Sequence, residues 1–119
     1  MGAIGRFNET EKTAVLSISS SGDNFAIPAP ASTAQYIAID FMSIFPSGTV
    51  TVTLWSGPAT SGTQISGAYP LTVGQAIVID NGCALEHGII ECQPGQGFNL
   101  NLGQAISVVG FIRYRIINQ

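Results

Sequence analysis

Residues 97–117 read GFNLNLGQAISVVGFIRYRII, and this stretch decides the fold. Over residues 98–102 apolar side chains alternate with asparagines, and a period of two indicates a strand with one buried and one solvated face. Residues 103–105 are short enough for a hairpin loop. Residues 106–117 are apolar on both parities, which is typical of a strand that is buried on both faces or that faces a partner subunit on one side. The stretch therefore predicts a C-terminal hairpin.

The two faces of the last strand differ in character. We assign to the core the parity that holds Ile106, Val108, Ile112, Tyr114 and Ile116. The opposite parity presents Phe111, Arg113 and Arg115, which we expect to face outward. Arginine beside an aromatic side chain is typical of a subunit interface, because its planar guanidinium suits partly buried contacts. An ordinary solvated face is the alternative.

Shorter alternating segments precede this stretch. Residues 35–45 and 49–55 predict a second hairpin around Pro46, Ser47 and Gly48, and residues 13–19 predict a first strand. Further short strands are predicted at residues 25–27, 64–65, 69–71, 75–80 and 88–91. No segment keeps a helical period with caps. The sequence predicts an all-β, antiparallel, jelly-roll-like β-sandwich of eight or nine short strands over residues 13–119, preceded by an N-terminal arm over residues 1–12.

The composition is poor in charge. Only 9% of the 119 residues are charged, against about 25% in a typical soluble domain. Interface cores are depleted in Lys, Glu and Asp, so this composition favours an obligate oligomer or a protein docked on a larger surface. Four basic and seven acidic residues give a net charge of −3. We therefore expect neither nucleic acid nor a membrane surface as a partner, since both need clustered basic residues. No apolar leader segment is visible, so we expect synthesis in the cytosol.

The residues that carry most enzyme chemistry form no recognisable set. His87 is the only histidine, and no Gly-x-Ser-x-Gly element accompanies it. Cys83, His87 and Cys92 would give three zinc ligands at unmatched spacing, whereas structural zinc takes four. We expect no catalytic residues, no metal and no cofactor. Cys83 and Cys92 form either a disulfide across a turn or two buried thiols.

Trp55 falls on the threonine parity of its strand. It is either an interface anchor or sugar-stacking platform, or a side chain that caps the end of the sandwich.

Five segments between residues 35 and 116 share a pattern with a known class of proteins. They are VTVTLWSG (50–57), ISGAYPL (65–71), Gly74 with IVI (77–79), GQGFNLNL (95–102) and VVGFIRY (108–114). This pattern resembles small β-rich virion proteins of tailed bacteriophages. The segment with Cys83, His87 and Cys92 departs from it, so nothing is carried over there.

The resemblance implies a head decoration, or cement, protein. Such proteins sit as trimers on the outer surface of the capsid and clamp neighbouring copies of the major capsid protein, without catalysis or cofactor. We therefore expect a virion protein, made in the host cytoplasm, with Trp55, Phe111, Arg113 and Arg115 as interface residues. The alternative is a trimeric receptor-binding or fibre module in which Trp55 and Tyr69 stack on a host surface glycan.

Overall fold

The computed structural model describes residues 10–81 and 88–119, and every regular element in them is a strand. The strands are β1 Lys12–Ile18, β2 Phe25–Ile27, β3 Gln35–Pro46, β4 Val50–Ser56, β5 Thr63–Gln64, β6 Tyr69–Leu71, β7 Ile77–Asp80, β8 Ile90–Glu91, β9 Phe98–Leu102 and β10 Val108–Asn118. The described part of the chain thus has no helix that is long and apolar enough to cross a membrane. Most of the predicted arm lies outside the described residues, and its last residue, Lys12, begins β1.

The strands form two antiparallel sheets. Sheet A has the order β1, β10, β3, β7, with β8 also pairing with β3. Sheet B has the order β2, β9, β4, β5, with β6 also pairing with β4. Neighbouring strands in sequence mostly belong to opposite sheets, which is the arrangement of a jelly roll. The predicted jelly-roll-like sandwich is confirmed, and the described residues form ten strands because β5 and β8 are pairs of residues.

Both predicted hairpins are wrong. β3 and β4 lie in different sheets, and so do β9 and β10. The long strands β3 and β10 instead pair with each other from Val108 opposite Pro46 to Asn118 opposite Gln35. This pairing satisfies the backbone of both long strands, so each short connection has to carry the chain across the core to the other sheet.

The core lies between the two sheets and draws on both. Phe98, Leu100 and Leu102 of β9 alternate inward, as the sequence predicts, and are fully buried. Val108 and Ile112 of β10 are also fully buried, and Tyr114 and Ile116 pack against the same core. The inward parity assigned to the last strand is therefore confirmed. The opposite face of sheet A, which is its outer face, does not contribute to this core.

Candidate functional site

The outer face of sheet A carries a block of exposed apolar side chains. We call it the apolar face, and it consists of Val15, Phe41, Phe45, Val78, Val109 and Phe111. Residues directly opposite each other on antiparallel strands point to the same side of a sheet. The register places Val15 opposite Phe111, Phe111 opposite Ser43, and Ser43 opposite Val78. One row of side chains thus crosses all four main strands of sheet A.

Five of the six members of the apolar face are unusually accessible for large apolar residues, and the sixth, Phe41, is half-buried. Val15 is 85% exposed and Val78 is 60% exposed. Phe45, Val109 and Phe111 lie between 38% and 48%. These side chains are neighbours on one sheet face, and a contiguous exposed apolar patch often marks an interaction site.

The aromatic side chains of the apolar face support one another. The rings of Phe41 and Phe111 stack with centroids 5.2 Å apart and planes inclined by 21°. Phe45 lies directly across from Val109. Ser43 sits between these groups and is buried beneath them. The face is therefore a packed, pre-formed surface.

Arg113 and Glu11 mark the charged margin of the apolar face. Arg113 lies opposite Phe41 on the same side of the sheet, and its side chain is 52% exposed. Its Nε lies 3.4 Å from a carboxylate oxygen of Glu11. Phe111 and Arg113 thus both point outward, as the sequence predicts.

Arg115 lies on the same outer side of β10 as Arg113, as the sequence predicts, but the expectation that it is exposed is wrong. Arg115 is only 5% exposed. Its Nε and Nη2 each donate a 2.8 Å hydrogen bond to a different carboxylate oxygen of Asp40. A register shift in the pairing of β3 with β10 leaves Asp40 without a partner across the ladder, and its carboxylate meets the guanidinium of Arg115. The pair closes the apolar face at one end.

The carboxyl groups of Glu11 and Asp40 lie close together beside Arg113 and Arg115. Burial raises the pKa of Glu11, and the nearby carboxylate of Asp40 raises it further. Burial also acts to raise the pKa of Asp40, but the hydrogen bonds from Arg115 and Glu11 outweigh it and the pKa falls below its ordinary value. The arrangement keeps the negative charge on Asp40, against Arg115.

This geometry predicts a loss of stability in acid. Because the pKa of Asp40 is lower in the folded protein than in the unfolded chain, its contribution is present above about pH 4 and is lost as the pH falls through the folded value. We expect the melting temperature to drop in that range, and we expect Asp40→Asn to melt lower at neutral pH but to lose less on acidification. Melting curves from neutral pH to about pH 3 measure both. Parallel acid losses in the two proteins would contradict the assignment.

Trp55 does not join the other predicted interface residues. It lies on the outer face of sheet B, half-buried, in one row with Asn99 and Gln64. Tyr69 lies opposite Val52, whose side chain points into the core, so Tyr69 and Trp55 belong to opposite sides of sheet B. The two aromatic rings therefore do not form one stacking platform.

The sheet B face next to Trp55 is held by a polar network. The side-chain amide of Asn99, which is fully buried, donates a 2.8 Å hydrogen bond to Asp23 and a 3.1 Å bond to the carbonyl of Gly57. Asn101 donates a second 2.8 Å bond to the same oxygen of Asp23. These hydrogen bonds lower the pKa of Asp23. The network ties the turn before β2 to the loop after β4.

Of the segment from Cys83 to Cys92, the structure describes residues 88–92. Cys83 and His87 lie outside the described residues, so both alternatives for the cysteine pair, a disulfide or two buried thiols, stay predictions. Cys92 is buried, and burial raises the pKa of its thiol to about 12. It borders an open pocket of about 340 Å³ that also involves Tyr36, Glu91 and Asn118. Residues 10–81 and 88–119 hold no group of three His, Cys, Asp or Glu side chains placed to bind a metal ion.

Sequence reasoning found Phe111 and Arg113 but missed Val15, Phe45 and Val78. Val15 lies between Thr13 and Ser17 on the polar parity of β1, which is a usable signal, whereas Phe45 lies on a strand whose two parities are both apolar. The apolar face becomes visible as one surface only when the strand order β1, β10, β3, β7 is known.

Comparisons with known proteins give one structural likeness. No family model matches the chain, and no curated protein matches its sequence. A solved structure of Bacillus endospore appendages, described as a novel family of disulfide-linked pili, is similar with a TM-score of 0.49 and 13% identity. The match covers 90% of this chain and 84% of that chain.

Proposed function

We propose that this protein is a structural virion protein, a homotrimeric decoration protein that binds and stabilises the major capsid protein shell of a tailed phage. The observation that carries the proposal is the apolar face of sheet A. A monomer in solution would gain nothing from exposing it, whereas an assembly subunit buries it. The low charge content of the chain and its jelly-roll architecture support the same role.

The proposed mechanism is binding alone. A decoration protein adds buried interface between neighbouring capsid subunits, so internal pressure has to break these contacts as well as those of the shell. A standard interface takes about 800 Å² from each partner, of which roughly 60% is apolar. Each copy in a cyclic trimer contributes two such sides, and the apolar face forms part of this buried surface. We propose that the partners are other copies of this chain and the capsid protein, without catalysis, cofactor, nucleic acid or membrane, and that the trimer assembles in the host cytoplasm onto the outer capsid surface.

Light scattering and head binding test this function. We expect the purified chain to have the mass of three copies at micromolar concentration and to saturate expanded heads that lack a decoration protein. Phe111→Ser should weaken the assembly by about 2 kcal/mol or more if Phe111 is an interface hot spot. The matched control is Val73→Ser, because Val73 is 68% exposed in the turn before β7 and lies outside the apolar face. A stable monomer that leaves heads undecorated would contradict the proposal.

The number of copies of this chain in each virus particle distinguishes the receptor-binding alternative from the decoration role. A decoration protein is present in hundreds of copies per particle, whereas a fibre tip is present in a few. Trp55 and Tyr69 lie on opposite sides of sheet B, so in this alternative a glycan would stack on one of the two rings and not on both. Quantifying the chain against the major capsid protein on a gel of purified particles distinguishes the two roles.

A further inference from the structure

We infer that the apolar face lines the rotation axis of the homo-oligomer and that its occupant is the same face of a second copy, with the strands running along the axis. The inference rests on the proposed homotrimer and adds to it which surface forms the contact. It is argued from the register of sheet A, from the ends of its rows, and from the charges at its margin.

Rotation about an axis parallel to the strands keeps every side chain at its own height. A row that crosses the sheet therefore meets the same row of the next copy. The β1 end of the row in one copy then lies against the β7 end of that row in the neighbour. Because β1 and β7 are the two outermost main strands of sheet A, their outward side chains decide the fit.

The central row of the apolar face ends in an exposed valine on each side. Val15 stands at the β1 end and Val78 at the β7 end, with Phe111 and Ser43 between them. Val15 and Val78 are the two most exposed residues of the apolar face. In this arrangement Val15 of one copy packs against Val78 of the next, and both become buried.

The next row toward the charged margin carries opposite charges in its two halves. It runs from Thr13 through Arg113 and Phe41 to Asp80. In the same arrangement the β7 end with Asp80 approaches the β1 side, where Arg113 lies one strand inward. A guanidinium offers five donors and a carboxylate accepts several hydrogen bonds, so Arg113 keeps its ion pair with Glu11, and Asp80 keeps its partner within its own chain, while the two meet across the contact. A surface whose own two ends complement each other favours a second copy as the occupant.

The geometry within one chain makes a sharp test available. Three strand spacings separate Val15 from Val78 within the sheet, which is about 14 Å. A disulfide needs Cα atoms within about 7 Å, so a bridge between these two positions has to join two chains. Both side chains are exposed, and we therefore expect replacement by cysteine to leave the fold intact.

The experiment uses the full chain with Val15→Cys and Val78→Cys, separately and combined, oxidised by copper phenanthroline and run on a non-reducing gel. We expect the double variant to give a covalent trimer, a mixture of the two single variants to give covalent dimers, and each single variant alone to stay monomeric on the gel. The unsubstituted chain, treated in the same way, reports any bridge through Cys83 or Cys92.

A second pair of variants tests the same face without cysteine chemistry. Val15→Asp places a charge in the centre of the proposed contact and should raise the dissociation constant of the oligomer at least about tenfold. Val73→Asp makes the same change on another exposed valine, which is 68% exposed and lies outside the face, and should leave the dissociation constant unchanged. Melting curves of both variants check that the fold is kept.

The possible outcomes separate this inference from the proposed function. A trimer by light scattering whose double-cysteine variant stays monomeric on the gel, together with equal behaviour of Val15→Asp and Val73→Asp, overturns the axial face and leaves the trimer standing. A closed covalent dimer supports the face but overturns the threefold assembly. Cross-linking of Val15→Cys with itself overturns the proposed strand direction. A chain that stays monomeric in solution overturns both proposals.

Discussion

Arg115→Ala is expected to destabilise the folded protein by about 3–5 kcal/mol, whereas Arg113→Ala, which removes an exposed ion pair, should cost the fold at most about 1 kcal/mol and act mainly on the assembly. The two arginines are two residues apart on one strand, but only Arg115 is buried with its charge paired. Its removal leaves the carboxylate of Asp40, which is 14% exposed, without its bidentate partner. An unpaired buried charge is among the costliest defects that one substitution produces.

Thermal or denaturant unfolding of both variants measures the contrast, with oligomer mass measured in parallel. Arg115→Lys is the conservative control, because lysine keeps the charge but does not reproduce the two parallel hydrogen bonds. The double variant Arg115→Met with Asp40→Leu should recover most of the loss, since it removes both charges together. If Arg115→Ala melts like the unsubstituted chain and only the assembly weakens, then Arg115 is an interface residue and its pair with Asp40 is not structural.

The strand content of this protein follows from its sequence because a period of two is a local property. Alternation in residues 50–55 and 98–102 locates β4 and β9 to within a residue. The pairing of strands does not follow from a local property, because a short connection between two strands is compatible with two arrangements. The chain either continues edge to edge as a hairpin or crosses to the facing sheet. Local sequence does not distinguish them, since both bury the same apolar parity.

For the same reason, only part of the candidate site could be predicted from the sequence. Phe111 and Arg113 lie on a strand whose two parities are both informative, and their outward direction was predictable. Asp40 lies 75 positions before Arg115, and only the pairing of β3 with β10 brings their side chains together. A parity argument says which side of a sheet a residue takes. Alternation does not show which groups cover that side of the sheet, so the burial of Arg115 could not be predicted from it.

Gly110→Ala is expected to cost about 3 kcal/mol or more, because it combines a strained backbone with a steric collision. Gly110 lies in β10 on the inward parity, with φ at +152°. A Cβ atom there would coincide with the carbonyl oxygen of Ser43 in the neighbouring strand. That oxygen belongs to the backbone of β3, so the collision is relieved only by separating the two longest strands of sheet A. Unfolding in denaturant measures the loss as a lower midpoint.

Two other glycines separate the two causes of that loss. Gly74 has φ at +90° with nothing within 4 Å of an added Cβ, so Gly74→Ala should show backbone strain alone, about 1 kcal/mol. Gly67 has the same open space without a positive φ, so Gly67→Ala should be neutral or slightly stabilising. If Gly110→Ala costs no more than Gly74→Ala, then β3 and β10 separate easily at this point, and the outer face of sheet A is not the rigid surface that the proposed assembly requires.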